Sequence, residues 1–236
     1  ALVQDQIDSF DKHNYGYIND QVIKHRDLIR MLLMKQDAFL TENNKIDLFT
    51  DGHKLYEKVL EDIYNAQDYI HLEYYTFELD GLGKRILDAL ETKLKEGLEV
   101  KLLYDDVGSK KVRLSKFKHF RALGGEVEAF FPSKVPLINF RMNNRNHRKI
   151  IIIDGQIGYV GGFNVGDDYL GLGKLGYWRD THTRVQGECI DALQLRFILD
   201  WNSQSHRPQF KFDQKYFPKK NGDKGNAAIQ IASSGP

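Results

Sequence analysis

Four consecutive isoleucines at positions 150 to 153 restrict the fold of this chain more than any other stretch of its sequence. β-Branched side chains favour strands, and an unbroken apolar run of this length fits a strand that is buried on both faces. An Asp-Gly turn follows at residues 154 and 155, and the second apolar stretch IGYVGG continues the pattern. The sequence therefore predicts a hairpin whose first strand forms a rigid platform inside a sheet.

Helical and strand patterns alternate along the rest of the chain, which predicts an α/β fold with a mixed β-sheet flanked by helices. Gly97 and the Gly124-Gly125 pair are expected to end two of the helices. Helical spacing of apolar residues covers 53–66, 83–97, 115–123 and 188–204. Strands are predicted at 69–77, 98–106, 126–131, 149–153, 157–162 and 181–187.

Composition divides the chain into four segments. Residues 1–45 are predicted to be an N-terminal helical segment, in which an amphipathic helix at 23–36 docks onto the domain or, alternatively, lies on a membrane. The main α/β domain is expected at 46–213. Residues 214–226 are rich in lysine and broken by glycine, which is typical of a linker, and 227–236 begin a further strand.

Charge and composition limit the possible functions. The formal net charge of +1 argues against an attraction of the whole surface to nucleic acid or anionic lipid. The single cysteine, Cys189, excludes an internal disulfide and a cysteine-rich zinc site. No apolar run approaches the roughly eighteen residues of a membrane span, and the first residues lack a signal-peptide pattern. As given, the chain is expected to be soluble or peripheral.

A histidine and a lysine stand at the entrance of the isoleucine strand. Residues i and i+2 of an extended chain point the same way, so His147 and Lys149 are expected to project together. A neutral imidazole can act as a nucleophile or an acid–base group, and an ammonium can neutralise a phosphate oxygen. The pair therefore favours phosphoryl chemistry, and no metal is expected because Lys149 would repel a cation. A lone histidine near a strand end is more often a plain surface or core residue, and only the neighbours favour catalysis.

The residues around this pair resemble the active-site motif of the phospholipase D superfamily. The stretch HRKIIIID runs from His147 to Asp154, and GGFN follows and ends at Asn164. The stretches GYVGGFNVGDDYLG, YWRDTH and LDWN, with YYTFELDGLG and LLYDDVGS upstream, are similar to the bacterial cardiolipin synthases of that superfamily. The resemblance extends from about residue 45 onward.

The resemblance implies transfer of a phosphatidyl group without a metal or another cofactor. One histidine attacks a phosphodiester to form a phosphohistidine, and a second histidine protonates the leaving alcohol and deprotonates the incoming one. His147 is then either the nucleophile or the acid–base group. Lys149 and Asn164 bind the phosphate, and the backbone approaches it closely at Gly161 and Gly162.

Three motif positions carry a second interpretation. Gly162 stands where many relatives have serine, so no hydroxyl reaches the phosphate from this position. Asp154 is assigned to the catalytic motif, which it organises, and it also fits the turn position of an Asp-Gly pair. Asp180 matches an acidic residue that orients an active-site imidazole in relatives, with an ion pair to Arg179 as the alternative.

One active site of this family requires two such motifs, whereas this chain has one. The resemblance implies that the second motif comes from the other half of a longer chain or from a second copy in a homodimer. The final residues IQIASSGP resemble the first strand of a second half, and the membrane helices that precede the catalytic region in relatives are missing. The chain is therefore interpreted as the first half of an enzyme of the bacterial cell membrane.

An apolar loop that leads into a basic cluster is predicted to meet lipid. Acyl chains would meet the apolar part and phosphates the basic part, although packing beneath the sheet is an alternative for the apolar part. The candidate lipid-interface residues are Phe131, Leu137, Ile138, Phe140, Arg141 and Arg145.

Three functions remain open from the sequence. The leading one is a phosphatidyltransferase that makes cardiolipin from two phosphatidylglycerol molecules and releases glycerol, so phosphatidylglycerol and anionic membrane lipid are the expected partners. A homodimeric hydrolase of the same superfamily, acting on lipid or nucleic acid, is the first alternative, although the near-neutral charge argues against nucleic acid. The second alternative is a non-catalytic half-domain that binds lipid.

Overall fold

The computed structural model describes residues 2–11, 20–130, 146–174, 176–204, 210–221 and 225–233. The strands are β1 (Leu40–Phe49), β2 (Tyr69–Tyr74), β3 (Glu99–Asp105), β4 (Glu126–Phe130), β5 (Lys149–Ile153), β6 (Ile157–Gly161), β7 (His182–Gln186) and β8 (Ala227–Gln230). The helices are α1 (Leu2–Asp11), α2 (Asp20–Ile23), α3 (Arg26–Gln36), α4 (Gly52–Asn65), α5 (Gly81–Lys95), α6 (Lys118–Ala122) and α7 (Ile190–Gln204). Short 3-10 helices cover Leu114–Phe117, Asp167–Leu170 and Gln214–Tyr216.

The eight strands form one mixed sheet in the order β4-β3-β2-β5-β6-β7-β1-β8. β2, β3 and β4 pair in parallel, and every other neighbouring pair is antiparallel. This arrangement confirms the predicted α/β fold with a mixed sheet and places the isoleucine strand β5 between β2 and β6. Helices cover both faces: α5 and α6, which join the parallel strands, pack with α4 in one core, and α7 packs in the other.

The isoleucine strand is buried on both faces, as its sequence predicts. Ile151 and Ile153 pack in the larger core with α4 and α5, whereas Ile150 and Ile152 pack in the second core with α7. Asp154 and Gly155 both have positive φ angles, 54° and 61°, so the predicted Asp-Gly turn closes the β5–β6 hairpin. β5 is thus fixed along its whole length and gives the residues before it a rigid support.

Capping side chains set the helix boundaries more closely than apolar periodicity does. The Asp80 carboxylate accepts a hydrogen bond from Gly83 N at 3.2 Å, so α5 begins at Gly81, before the predicted start. Gly97, with φ of 94°, follows the end of this helix as predicted. The single helix predicted at 115–123 is divided between a 3-10 turn and α6. None of the helices in the described ranges is both long enough and apolar enough to cross a bilayer.

The chain on either side of the half-domain also contacts the sheet. β1 was not predicted, and the boundary expected after residue 45 falls inside this strand. The predicted helix at 23–36 is confirmed as α3, which buries Ile29 and Leu33. Within the expected linker, Tyr216 is buried and its hydroxyl donates to Glu99 at 2.9 Å. β8, from the segment expected to start a second half, pairs antiparallel with β1.

Candidate active site

The sheet register brings the two ends of the sequence motif to one edge. Lys149 starts β5 opposite Tyr74 of β2, and Gly161 ends β6 opposite His182 of β7. β5 and β6 are antiparallel neighbours, so the start of one lies beside the end of the other. The HxK stretch (147–149) and the GGxN stretch (161–164) are separated in the sequence, and they therefore meet at the edge of the sheet where β5 begins.

His147 and Lys149 share the ring of Tyr75 as their support. The imidazole and phenol ring centroids are 4.6 Å apart, and the Lys149 Nζ lies 5.2 Å from the Tyr75 ring centroid, within cation–π range. Lys149 is buried and donates from Nζ to the His147 carbonyl oxygen at 2.9 Å, whereas the His147 side chain is exposed. The structure thus brings the pair together with the imidazole facing outward. The sequence did not single out Tyr75.

Burial changes the ionisation of both side chains. It lowers the pKa of the Lys149 ammonium to about 8, against an opposing contribution from the Asp180 carboxylate. Partial desolvation, followed by the charge of Lys149, lowers the pKa of His147. At neutral pH the site therefore holds an uncharged imidazole beside a cation, which is the state that a nucleophilic histidine requires.

Asn164 has both ends of its side chain engaged. Its Oδ1 accepts from Thr76 N at 3.0 Å, and its Nδ2 donates to the Tyr169 hydroxyl at 2.6 Å. The Asn164 carbonyl also accepts from the Tyr56 hydroxyl at 2.6 Å. The amide is buried and held in one orientation, which leaves its second Nδ2 proton for a ligand.

Gly161 and Gly162 lie directly against His182 and Asp180, at the start of β7 and just before it. A Cβ atom on Gly161 would lie 2.4 Å from the His182 Cα, and one on Gly162 would lie 2.0 Å from the Asp180 Oδ1. Any side chain at these positions would displace Asp180 or His182. The predicted close approach is therefore seen here between protein groups, and contact of these glycines with phosphate stays a prediction.

Asp180 lies next to this edge, and its carboxylate accepts from Thr181 N at 2.7 Å. His182, two residues later, is buried, and its Nδ1 has no hydrogen-bond partner in the part of the chain that the structure describes. Burial lowers the pKa of His182 to about 3, so it is uncharged at neutral pH. The i and i+2 spacing from Asp180 is the sequence signal that could have drawn attention to His182.

The chain segment before His147 is held by the end of β3. The Asp105 carboxylate accepts from Val107 N and Gly108 N, each at 2.9 Å, and from Asn146 N at 3.3 Å. The Asn146 side chain donates to the buried Glu73. Asp105 thus ties the turn after β3 to the entrance of β5, a positioning role that the sequence did not indicate.

Asp154 occupies the turn position that its Asp-Gly pair also predicted, and its role in the catalytic motif stays a prediction. The residue follows the far end of β5, about 23 Å along an extended chain from His147 at 3.3 Å per residue. Its carboxylate accepts from three backbone N–H groups, those of Gln67, Asp68 and Tyr69, at 2.9, 2.8 and 3.0 Å. Asp154 therefore fastens the hairpin turn to the start of β2 and is a positioning residue.

A cavity of about 350 Å³ opens beside the backbone of His147 and Lys149. Arg148 and Arg196 line it, and both form ion pairs with the buried Asp200, at 3.1 Å for Arg148. Its apolar wall includes Leu193. The predicted lipid-interface residues Phe131, Leu137, Ile138, Phe140, Arg141 and Arg145 lie outside the described residues. Within the described ranges, no group of three or more His, Cys, Asp or Glu could hold a metal ion.

Comparison with known proteins confirms the resemblance inferred from the motif. The family model described as "Cardiolipin synthase, PLD-like domain" matches residues 59–173. Cardiolipin synthase 1 of Staphylococcus epidermidis strain RP62A is 99% identical over 235 residues, which are 100% of this chain and 48% of that protein. Cardiolipin synthase 1 of Staphylococcus aureus strain MRSA252 is 76% identical with the same coverage. The chain spans about half the length of the curated relatives that it matches.

Solved structures agree on the fold. NucT from Helicobacter pylori superposes with a TM-score of 0.52 at 15% identity, and the superposition covers 68% of this chain and 98% of the NucT chain. Phosphatidylserine synthase from Haemophilus influenzae superposes with a TM-score of 0.52 at 19% identity and covers 66% of this chain and 36% of its own. At these identities the likeness concerns the fold alone.

Proposed function

Because this chain belongs to the phospholipase D-like cardiolipin synthase family, we propose that it supplies one half of a phosphatidyltransferase that makes cardiolipin. The substrates are two phosphatidylglycerol molecules, and glycerol is the second product. The observation that carries the proposal is the outward-facing imidazole of His147 beside the buried cation of Lys149. A phosphodiester that reaches this edge would meet a nucleophile and a charge-neutralising group together.

The reaction proceeds in two displacements at one phosphorus atom. In the first, a histidine nitrogen forms a bond to phosphorus while the bond from phosphorus to the glycerol oxygen breaks, and a second histidine gives that oxygen its proton. In the second, the hydroxyl of another phosphatidylglycerol loses its proton to the same second histidine and attacks phosphorus, and the P–N bond breaks. His147 fills one of these two roles, and its counterpart comes from a second motif.

Lys149 and Asn164 bind the phosphate oxygens. Lys149 supplies a positive charge in a buried setting, where Coulomb attraction is stronger than in water. Asn164 donates its second Nδ2 proton, because the first is used in the hydrogen bond to Tyr169. Asp180 lies close enough for its charge to act on both Lys149 and His147, which suits a residue that orients an imidazole.

The pKa of Lys149 makes a pH dependence predictable. With that pKa at about 8, the ammonium loses its charge as the pH rises through 8, whereas His147 is already neutral. We expect the affinity for tungstate, a tetrahedral dianion that mimics phosphate, to fall by about tenfold per pH unit above that value. Calorimetric titration at several pH values measures this. Lys149→Arg keeps its charge and is expected to bind without this decline; the same decline in that variant would mean that another group titrates.

A second motif-bearing half is the proposed partner, supplied by the rest of a longer chain or by another copy. The paired strands β1 and β8 lie in similar sequences, KIDLFTDG and AIQIASSGP, as the first strands of two related halves would. Ile46 and Leu48 on β1 are 44% and 64% exposed. Such apolar side chains on a sheet face fit a surface that another domain covers.

Leu48→Lys is expected to weaken association with the second half by about tenfold or more, because a lysine at the centre of an apolar contact must be desolvated. Leu172 is 67% exposed on a loop, so Leu172→Lys is the matched control and is expected to bind like the unmodified chain. Titration of each variant with the separately produced second half gives the dissociation constants. Equal constants for both variants would place the contact elsewhere.

The proposed function is tested by cardiolipin formation from phosphatidylglycerol vesicles, with the molar mass recorded by light scattering. We expect activity when the second half is added, or from the chain alone if its mass is that of a dimer. A complete pair of motifs that binds the vesicles without turnover would favour a lipid-binding half-domain instead.

A further inference from the structure

We propose that Tyr169 is a further catalytic residue, whose hydroxyl donates a hydrogen bond to a phosphate oxygen of the substrate. The proposal rests on the proposed function and adds to it a residue outside the HxK and GGxN stretches. Tyr169 lies in the 3-10 helix Asp167–Leu170, which follows β6 directly in the chain. It would supply the hydroxyl that Gly162 cannot.

The direction of the hydrogen bond between Asn164 and Tyr169 follows from a third group. Thr76 N is a backbone donor and lies 3.0 Å from one end of the Asn164 amide, so that end must be the oxygen. The other end is then the NH₂ group, and it donates to the Tyr169 oxygen at 2.6 Å. Because the tyrosine oxygen accepts this bond, its own proton is directed to a different acceptor.

The surroundings of Tyr169 include other groups of this edge of the sheet. The ring packs edge-on against Trp178, with centroids 5.5 Å apart, and against Phe163 at 6.4 Å. Asp180, then Asp168 and Tyr75, are close enough to act electrostatically on its hydroxyl. Burial raises the pKa of Tyr169, so the hydroxyl stays protonated and able to donate at neutral pH.

Steric exclusion at Gly162 explains why the hydroxyl comes from elsewhere. A Cβ atom there would lie 2.0 Å from the Asp180 Oδ1, so a serine would collide with the carboxylate. Asp180 therefore occupies the space that a side chain at position 162 would need. Tyr169 contacts Asn164, the predicted phosphate-binding residue, directly.

A purely structural role for Tyr169 would be to orient the Asn164 amide. A double-mutant cycle separates the two roles, because a residue that only orients Asn164 has no effect once Asn164 is removed. If Tyr169 contacts the anion itself, Tyr169→Phe still weakens binding in the Asn164→Ala background. The cycle compares dissociation constants for tungstate, measured with the whole chain, so it does not require enzymatic activity.

The experiment is calorimetric titration of the 236-residue chain with tungstate at neutral pH. We expect Tyr169→Phe to raise the dissociation constant by about tenfold, and by at least about threefold in the Asn164→Ala background. Tyr64 is 53% exposed on α4, so Tyr64→Phe is the matched control and is expected to bind like the unmodified chain. Circular dichroism and thermal unfolding establish that each variant is folded.

Three results would overturn the assignment, and the first two concern single proteins. One is a folded Tyr169→Phe variant with an unchanged tungstate affinity, and the other is an unmodified chain that does not bind tungstate. No effect of Tyr169→Phe in the Asn164→Ala background would reduce Tyr169 to a positioning residue and so also contradict the proposal. In the cardiolipin assay with the second half, we expect kcat/KM to fall by about 10- to 100-fold. Loss of tungstate affinity without any cardiolipin formation would retain Tyr169 as an anion ligand and reject the transferase.

Discussion

Replacing His147 with alanine is expected to lower the rate of cardiolipin formation by about 10⁴-fold or more, because each displacement of the proposed reaction needs both histidines. If His147 is the nucleophile, no phosphohistidine can form in the variant. If it is the acid–base group, the glycerol oxygen leaves without a proton. Either way the loss appears in kcat, and the exposed position of the side chain leaves the fold intact.

The assay uses the chain together with the second half and radiolabelled phosphatidylglycerol, with thermal unfolding measured in parallel. His25→Ala removes another exposed histidine, one that precedes α3, and is expected to retain the rate within about twofold. A His147→Ala variant that keeps a tenth or more of the rate would remove this histidine from the reaction.

Asp154→Ala is expected to lower the free energy of unfolding by about 3 kcal/mol, since hydrogen bonds to a charged group contribute about 1.5–3 kcal/mol each and part of that is regained from water. The Asp154 carboxylate accepts hydrogen bonds from three backbone N–H groups at the start of β2. Alanine also tolerates the φ of 54° at this position poorly, which adds strain. Urea denaturation measures the loss.

Three variants separate the causes of that loss. Asp154→Gly removes the carboxylate without the strain, so its loss reports the hydrogen bonds alone. Asp154→Asn keeps one acceptor oxygen and tolerates the backbone, and is expected to lose the least. Asp68→Ala changes an exposed neighbour and is expected to shift stability by less than about 0.5 kcal/mol. An Asp154→Gly variant as stable as the unmodified chain would contradict the positioning role.

The central part of the fold could be predicted because its sequence pattern is strong. Four isoleucines and an Asp-Gly pair specify β5 and the turn after it, and the helical spacing in α4, α5 and α7 buries the residues that it predicts. α7, for example, buries Ile190, Leu193, Phe197 and Trp201. Local pattern suffices where one face or both faces of an element are apolar.

β1 escaped prediction because its sequence, LTENNKIDLF, is polar and contains residues that strands disfavour. Asn43 within it has a φ of 61°, and the pairing with β8 shifts register between Thr41 and Asn44. What makes this segment a strand is its pairing with β7 and β8, and that pairing is a tertiary contact which local sequence does not encode.

The site divides in the same way. His147, Lys149 and Asn164 could be singled out because their spacing matches a motif, and the structure brings them to one edge of the sheet, while their roles stay predictions. Tyr75 and Tyr169 could not, because their contacts depend on side chains from several elements. Asp154 shows the same limit, since a motif groups residues by spacing and does not distinguish one that reacts from one that fastens a turn.

Product analysis of this chain combined with the second half, on phosphatidylglycerol vesicles, distinguishes transfer to an alcohol from hydrolysis. We expect cardiolipin and free glycerol in equal amounts, with no phosphatidic acid. Phosphatidic acid and glycerol without cardiolipin would show that water is the acceptor, and the protein would then be a hydrolase rather than a phosphatidyltransferase.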